Sequence, residues 1–328
     1  MSPRSAKQIS ESNNMAVTMN PFSIVNNYLN KYQDSRTANW MLMSSPFYTL
    51  GICLSYVYIV KVLGPKLMEN RKPFHLQNVL ILYNFLQVIF SAWIFYEIAM
   101  NGWLTGEYNW RCQPVDYSNK PSTIRMVHMS WWYYFSKFTE FFDTFFFVLR
   151  KKYDQVSTLH VIHHGVMPMS VWFGVKFTPG GHSTFFGFLN TFVHIIMYLY
   201  YMLSAMGPHM QKYLWWKKYV TTLQMVQFVG IMAHAFQLLF IDCNYPRAFV
   251  WWIGMHAVMF FFLFKEFYKN AYIKRQKLRS ESMKKANGLH GERTPVENGH
   301  IEFSKQSKTL SEYYVNGTTE THYRIKSQ

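Results

Sequence analysis

Seven apolar stretches, near residues 46–63, 76–100, 128–149, 156–176, 184–206, 218–240 and 248–268, constrain this 328-residue chain more than any other feature. Each is long enough to cross a hydrocarbon core of about 30 Å at ~1.5 Å of rise per helical residue. In hydrocarbon the backbone amides must find partners within the protein, so such stretches become helices. The pattern predicts an all-α polytopic membrane protein with seven transmembrane helices. Composition agrees: only 15% of residues are charged, against roughly 25% in an ordinary soluble domain. The mean hydropathy of −0.09 is close to zero because it averages the apolar stretches with two polar tails. Residues 1–40 read as a polar segment without a cleavable signal, 41–276 as the membrane domain, and 277–328 as a disordered tail with no apolar period.

The formal charge of +16 suggests a nucleic-acid partner only at first sight. No nucleic-acid motif accompanies it, and the basic residues gather between apolar stretches instead of along one face. Counted near the helix ends, sixteen Lys and Arg residues fall in one set of connections and seven in the other. The positive-inside rule then puts the C-terminus in the cytosol and the N-terminus in the lumen. Cys112 follows the second helix and Cys243 the sixth, so both are expected in an oxidising lumen where a bridge between them is permitted. Two free thiols are the other reading, since sequence does not give their separation. Cys53, inside helix one, reads as packing. Arg324 and Lys326 near the end faintly resemble a basic retrieval signal.

Ionisable residues at membrane depth are expensive and mark functional sites by default. Lys137, Glu140 and Asp143 recur at spacings of three in the third stretch, and His160, His163 and His164 open the fourth at i, i+3 and i+4. Asn190, His194, Tyr198 and Tyr201 lie in the fifth, and Thr221, Gln224 and Gln227 in the sixth. From the cytosolic helix ends, Asp143 is expected about 9 Å down, His163 about 10 Å, Gln227 about 14 Å and His194 about 18 Å. A lone intramembrane His or Gln is commonly just an interhelical hydrogen bond. Four helices placing such residues in one band point to a site instead. His128, His182, His209, His234 and His256 lack such company and read as interfacial or packing residues.

These residues carry a resemblance. KFTEFFDT, HVIHH, NTFVHIIMYLYY and TTLQMVQF stand here in the order of the ELO family's K-x-x-E-x-x-D-T, H-x-x-H-H, N-x-x-x-H-x-x-M-Y-x-Y-Y and T-x-x-Q-x-x-Q-F boxes, and the likeness spans roughly residues 20–275. The chain resembles the very-long-chain fatty acid elongases of that family. The resemblance implies an enzyme of the endoplasmic reticulum that condenses a long-chain acyl-CoA with malonyl-CoA to 3-ketoacyl-CoA, CO2 and CoA. It implies a barrel of helices two to seven around an acyl tunnel open to the cytosol, with helix one outside. Its partners would be the two CoA substrates and the bilayer. A homodimer and contacts with other enzymes of the elongation cycle fit the same picture, with no nucleic acid, no metal and no cofactor beyond the substrates.

Carried over residue by residue, the resemblance makes His163 the nucleophile that takes the acyl group as an acyl-imidazole, with His194 opposite. Glu140 or Asp143 would fix the imidazole tautomer, beside Lys137. Asn190, Gln224, Gln227, His160 or His164 would donate hydrogen bonds to the malonyl-derived enolate. Arg150, Lys151, Lys217, Lys218, Lys265 and Lys269, at cytosolic helix ends, suit the CoA phosphates. A thiolate mechanism is set aside because no cysteine lies in the polar band.

A di-iron desaturase or hydroxylase also carries H-x-x-H-H boxes but needs several histidine clusters, where this chain has one box. A seven-helix receptor fits the helix count but leaves the Lys-Glu-Asp face and the histidine box unexplained. Within the family, HV in place of HW at the box resembles the branches acting on longer chains, with very-long saturated or monounsaturated substrates favoured. The deduced orientation is testable at Asn316, which heads the sole N-x-S/T sequon. A cytosolic Asn316 stays unglycosylated; a glycosidase-sensitive mass shift abolished by Asn316→Gln would reverse the topology.

Overall fold

The computed structural model describes residues 21–274, 276–277 and 280–281 of the chain. The sequon at Asn316, the pair Arg324 and Lys326, and most of the tail expected to be disordered lie outside the described residues. Among the described residues, 21–274 form one unit, and 276–277 with 280–281 belong to another. The described part of the first unit is all helical, without strands.

The first helix, α1 (Pro21–Lys31), falls inside the segment expected to be merely polar. It is followed by a loop held down by Lys176, whose Nζ donates to Asn30 Oδ1 at 2.9 Å, Gln33 Oε1 at 2.5 Å and the Met43 carbonyl at 2.7 Å. Lys176 is fully buried, so three acceptors replace its lost water. No apolar period announces this device, because it is built from backbone and amide oxygens.

Helix α2 (Pro46–Tyr58) starts at Ser45, whose hydroxyl accepts from the Phe47 N–H, with Pro46 in the first turn where a missing N–H costs nothing. It runs through a π turn at Ile59–Leu63 into the short α3 (Gly64–Met68). Helix α4 (Gln77–Ile98) continues through a second π turn to Trp103. Helix α5 (Pro121–Thr139) and helix α6 (Phe141–Leu149) meet at Glu140. Helices α7 (Thr158–Phe177), α8 (Thr184–Ala205), α9 (Lys217–Phe236) and α10 (Arg247–Tyr268) complete the bundle.

Five continuous helical runs are long and apolar enough to cross a membrane: Pro46–Met68, Gln77–Trp103, Thr184–Ala205, Lys217–Leu239 and Arg247–Lys274. The remaining two expected spans correspond to α5 with α6 and to α7, which are helical but carry the polar residues. The single helix expected over 128–149 is two helices, beginning at Pro121 and broken at Glu140. There the Glu140 N–H still bonds the Ser136 carbonyl at 3.1 Å, but the Asp143 N–H bonds Glu140 O at 3.3 Å, three residues back, and tightens the turn. Lys137, Glu140 and Asp143 are buried by protein, which makes them tolerable at this depth.

Helix α4 packs along α8, α8 against α9, and α9 along α10; α7 meets both α10 and α5, and α5 meets α4. Helix α2 packs on α7. At the end opposite the histidine box, Cys112 and Cys243 form a disulfide with Cα atoms 5.7 Å apart, tying the loop after α4 to the loop before α10. Free Cys53 is buried in an apolar cluster with Tyr56, Val60 and Phe141.

The bridge closes a loop across 131 positions of sequence, so its loss is expected to destabilise the fold by about 5 kcal/mol on loop-entropy grounds. Non-reducing peptide mapping of membrane-expressed protein should recover the Cys112–Cys243 peptide, and the double Cys→Ser variant should melt at lower temperature in detergent. Two fully alkylated thiols in the native protein would contradict the pairing.

Candidate active site

Glu140, at the joint between α5 and α6, gathers the polar residues. One turn earlier on α5, Lys137 Nζ donates to Glu140 Oε1 at 2.5 Å and to Asn190 Oδ1 on α8 at 3.0 Å. The Tyr133 hydroxyl donates to the same Asn190 oxygen at 2.8 Å. Two donors on one amide oxygen fix the amide's orientation, so Asn190 Nδ2 faces His194 Nε2, 3.2 Å away. His194 Nε2 therefore accepts, and its proton sits on Nδ1, 3.3 Å from Glu140 Oε1. Both nitrogens of His194 are thereby engaged in a circuit of buried groups.

The histidine box lies on the first turns of α7, started by Ser157, whose Oγ accepts from the His160 N–H at 3.2 Å. The rings of His160 and His164, four residues apart, lie 4.3 Å apart between centroids and are tilted 46° to each other. His160 Nε2 meets Thr144 Oγ1 at 2.8 Å, and Thr144 in turn meets the Tyr56 hydroxyl at 2.8 Å. His164 Nδ1 lies 3.9 Å from Glu140 Oε2, and both atoms are buried without a hydrogen bond among the described residues. Pro168 has no N–H to offer the His164 carbonyl, which frees the turn carrying the histidines from one helical bond.

His163 points elsewhere. Its ring rests edge-on against Phe260 at 4.8 Å and against Phe264 at 6.2 Å, both on α10, and it is half-buried. It makes no hydrogen bond with another described residue. The expectation that Glu140 or Asp143 fixes its tautomer is thus corrected: Glu140 is turned to Lys137 and His194, while Asp143 accepts from the Tyr198 hydroxyl at 2.8 Å. The reason is rotational, since the i+3 step carries His163 to the α10 side of the helix and leaves His160 and His164 facing α6.

On α9, Gln227 is buried with Oε1 unpartnered, while Gln224 Nε2 has only the soft Met197 Sδ at 3.3 Å. The six basic residues stand at helix ends: Arg150 caps α6 with Lys151 following, Lys217 and Lys218 open α9, Lys265 lies in the last turn of α10 and Lys269 caps it. Lys151 adopts a left-handed φ of 55°, and the Lys152 N–H returns to the Phe147 carbonyl at 2.8 Å, closing α6 in a Schellman turn. Lys151 Nζ is held by the Glu69 carbonyl at 3.0 Å, and Lys269 lies 4.0 Å from Glu266.

Beneath the polar cluster runs a narrow, mainly apolar cavity of about 70 Å³ between α5, α7, α8 and α10, from Met167 and Tyr133 at one end to Thr178 and Phe249 at the other. Tyr133 belongs to both cavity and cluster. Nothing in the aromatic run WWYYF separates it from its neighbours, so its role was hidden in the sequence. Of the histidines read as packing, His182 and His234 stack at 3.9 Å, whereas His256 lines the cavity. Among the described residues no three His, Cys, Asp or Glu are placed to hold a metal ion.

Breaking the Lys137–Glu140 pair leaves a buried charge without its partner, at about 3–5 kcal/mol. Lys137→Met should therefore lower the detergent melting temperature sharply. The double variant Lys137→Met/Glu140→Leu should recover most of that loss without recovering activity.

The model of the ELO family, described as GNS1/SUR4, matches residues 41–280. A very long chain fatty acid elongase of Aedes aegypti is 76% identical over 258 residues, covering 79% of this chain and 72% of that protein. Very long chain fatty acid elongase 7 of Drosophila melanogaster is 63% identical over 300 residues, 87% of this chain and 91% of its own. The human very long chain fatty acid elongase 1 is 48% identical over 260 residues, 78% of this chain and 93% of its own. With the family's four polar boxes assembled on adjoining helices, this chain belongs to the ELO family.

Proposed function

We propose that this chain is a very-long-chain 3-ketoacyl-CoA synthase, condensing a long-chain acyl-CoA with malonyl-CoA in the first step of fatty acid elongation at the endoplasmic reticulum membrane. The observation that carries the reading is the contrast among the site histidines. His194 is engaged at both nitrogens and His160 is bonded to Thr144, while His163 is unbonded beside Phe260, one turn from Met167 at the head of an apolar cavity. An unbonded imidazole in an apolar wall keeps a lone pair for attack and a dry surrounding for its adduct. The names of the relatives, very long chain fatty acid elongases, support the same substrate class.

In this mechanism a nitrogen of His163 attacks the thioester carbonyl of acyl-CoA. The C–S bond breaks, CoA leaves as the thiol with the imidazole proton, and the acyl group remains on His163. Malonyl-CoA then loses CO2, and its enolate carbon attacks the acyl carbon; the C–N bond breaks and the departing imidazolate takes one proton from solvent to restore the imidazole. The enolate oxygen needs donors, and the candidates are the side-chain Nε2 groups of the buried Gln227 and of Gln224, one turn away on α9. His194 is a positioning residue in this scheme. Arg150, Lys151, Lys217, Lys218, Lys265 and Lys269 would attract the CoA phosphates.

The pairwise packing of α4 with α8, α8 with α9, α9 with α10, α10 with α7, α7 with α5 and α5 with α4 supports a six-membered ring around the tunnel, α2 lying outside on α7. Counting α5 with α6 as one span and α7 as another gives seven, N-terminus lumenal. The substrates are the two CoA esters, with no further cofactor.

His163→Ala should abolish both condensation and acyl transfer to protein, whereas Gln227→Ala should slow condensation by about 10²–10³-fold, the usual loss for one oxyanion donor, and still load acyl groups. Each variant is incubated with acyl-CoA alone, quenched quickly and mapped by peptide mass spectrometry, with CoA release followed in parallel. A wild-type-like burst of CoA release from His163→Ala would remove the covalent role from this residue.

A further inference from the structure

We infer that Gly174 on α7 is a specificity-determining position whose missing side chain leaves room for the far part of the acyl chain. The inference rests on the reading of the cavity as the acyl site.

Glycine inside a helix weakens it relative to alanine, which makes its surroundings worth asking about. The usual reasons for a glycine are absent at Gly174. Its backbone is ordinary helix, without the positive φ that Gly106, Gly180 and Gly207 adopt. A Cβ built there would meet nothing within 4 Å, unlike Gly254, where Phe236 stands 2.3 Å away, or Gly64, where Val148 stands at 2.8 Å. No neighbouring helix requires the smallest residue at this point. What adjoins Gly174 is the cavity, which it lines along with Met167, Ser170, Val171 and Thr178 of the same helix. These residues follow the i, i+3, i+4 spacing of one helix face, so a side chain at position 174 shares the face that walls the cavity.

The position also suits a gauge of length. Gly174 is eleven residues beyond His163, about 16 Å down the helix axis. A side chain added there would leave the head of the cavity, between Met167 and Tyr133, unaltered. Short acyl chains would end before reaching it, and long ones would have to pass it. Phe249 and Trp252 of α10 also wall this cavity, so an added side chain would have packed aromatic surface for company and little freedom to turn aside.

The test is a graded series, Gly174→Ala, Gly174→Val and Gly174→Leu, in full-length protein in microsomes, fed acyl-CoAs of increasing length with labelled malonyl-CoA. Alanine is the better helix former, so folding does not limit the first variant. The expected result is a truncation that deepens along the series. The shortest substrates keep wild-type rates, the longest accepted by wild type loses about tenfold or more in Gly174→Val, and the longest product falls in two-carbon steps. Gly51→Val serves as the control, because a Cβ at Gly51 also meets nothing within 4 Å but lines a separate groove beside α2. Its profile should match wild type.

An unchanged length profile across the series, an equal loss at every length, or the same truncation in Gly51→Val would overturn the inference while leaving the condensing activity standing. Absence of condensation by wild type with every acyl-CoA would instead overturn the functional reading, and the inference with it.

Discussion

The buried ion pair of Lys137 and Glu140 is the constraint on which the site's geometry depends. Both side chains are nearly inaccessible, so each would be very unfavourable without the other. Their attraction alone does not satisfy them, and the surplus hydrogen-bonding capacity determines the surroundings. Lys137 spends a second proton on Asn190, and Glu140 faces His194 and His164 with its two oxygens. The imidazole of His194 is thereby set in one tautomer by groups on two helices. A local consequence is the interrupted helix, since the tight turn at Glu140 places its carboxylate at the joint of α5 and α6.

That arrangement divides the histidines by surroundings. His160 and His164 face the α6 and Glu140 side and belong to the polar framework, whereas His163 is turned toward the aromatic wall of α10. Such a division suits the covalent role proposed for His163, which asks for a rigid polar scaffold and an imidazole in a dry niche. The unbonded pair His164 Nδ1 and Glu140 Oε2, 3.9 Å apart, is the loosest joint in the framework and lies beside His163. The loops at the far end are held by different means, namely the Cys112–Cys243 disulfide and the three acceptors around Lys176. With those connections tied, the cavity below the cluster is bounded by packed aromatic and small residues.

Much of this was legible in the chain. Apolar length announced the helices because hydrocarbon leaves the backbone no other way to satisfy its amides, and the four polar boxes announced the site because ionisable groups at depth need each other. Adjacency in sequence also carried the Lys137–Glu140 contact, since three residues make nearly one turn. The pairing of Cys112 with Cys243 was permitted by shared sidedness alone. The helix over Pro21–Lys31 was missed because it is short and its apolar Phe22, Val25, Tyr28 and Leu29, though at helical spacing, are diluted by the polar residues around them.

The sequence by itself determined which long apolar stretches become helices and which polar side chains each helix carries, because these follow from hydropathy and spacing, but not the helix at Pro21–Lys31 or the break at Glu140. Only the tertiary structure decided which of those side chains touch. Rotation about each helix axis and contact across helices separate His163 from the two carboxylates, give Asn190 to Tyr133 and Lys137, and open the space at Gly174. Those relations depend on how the helices pack against one another, a property of no single segment.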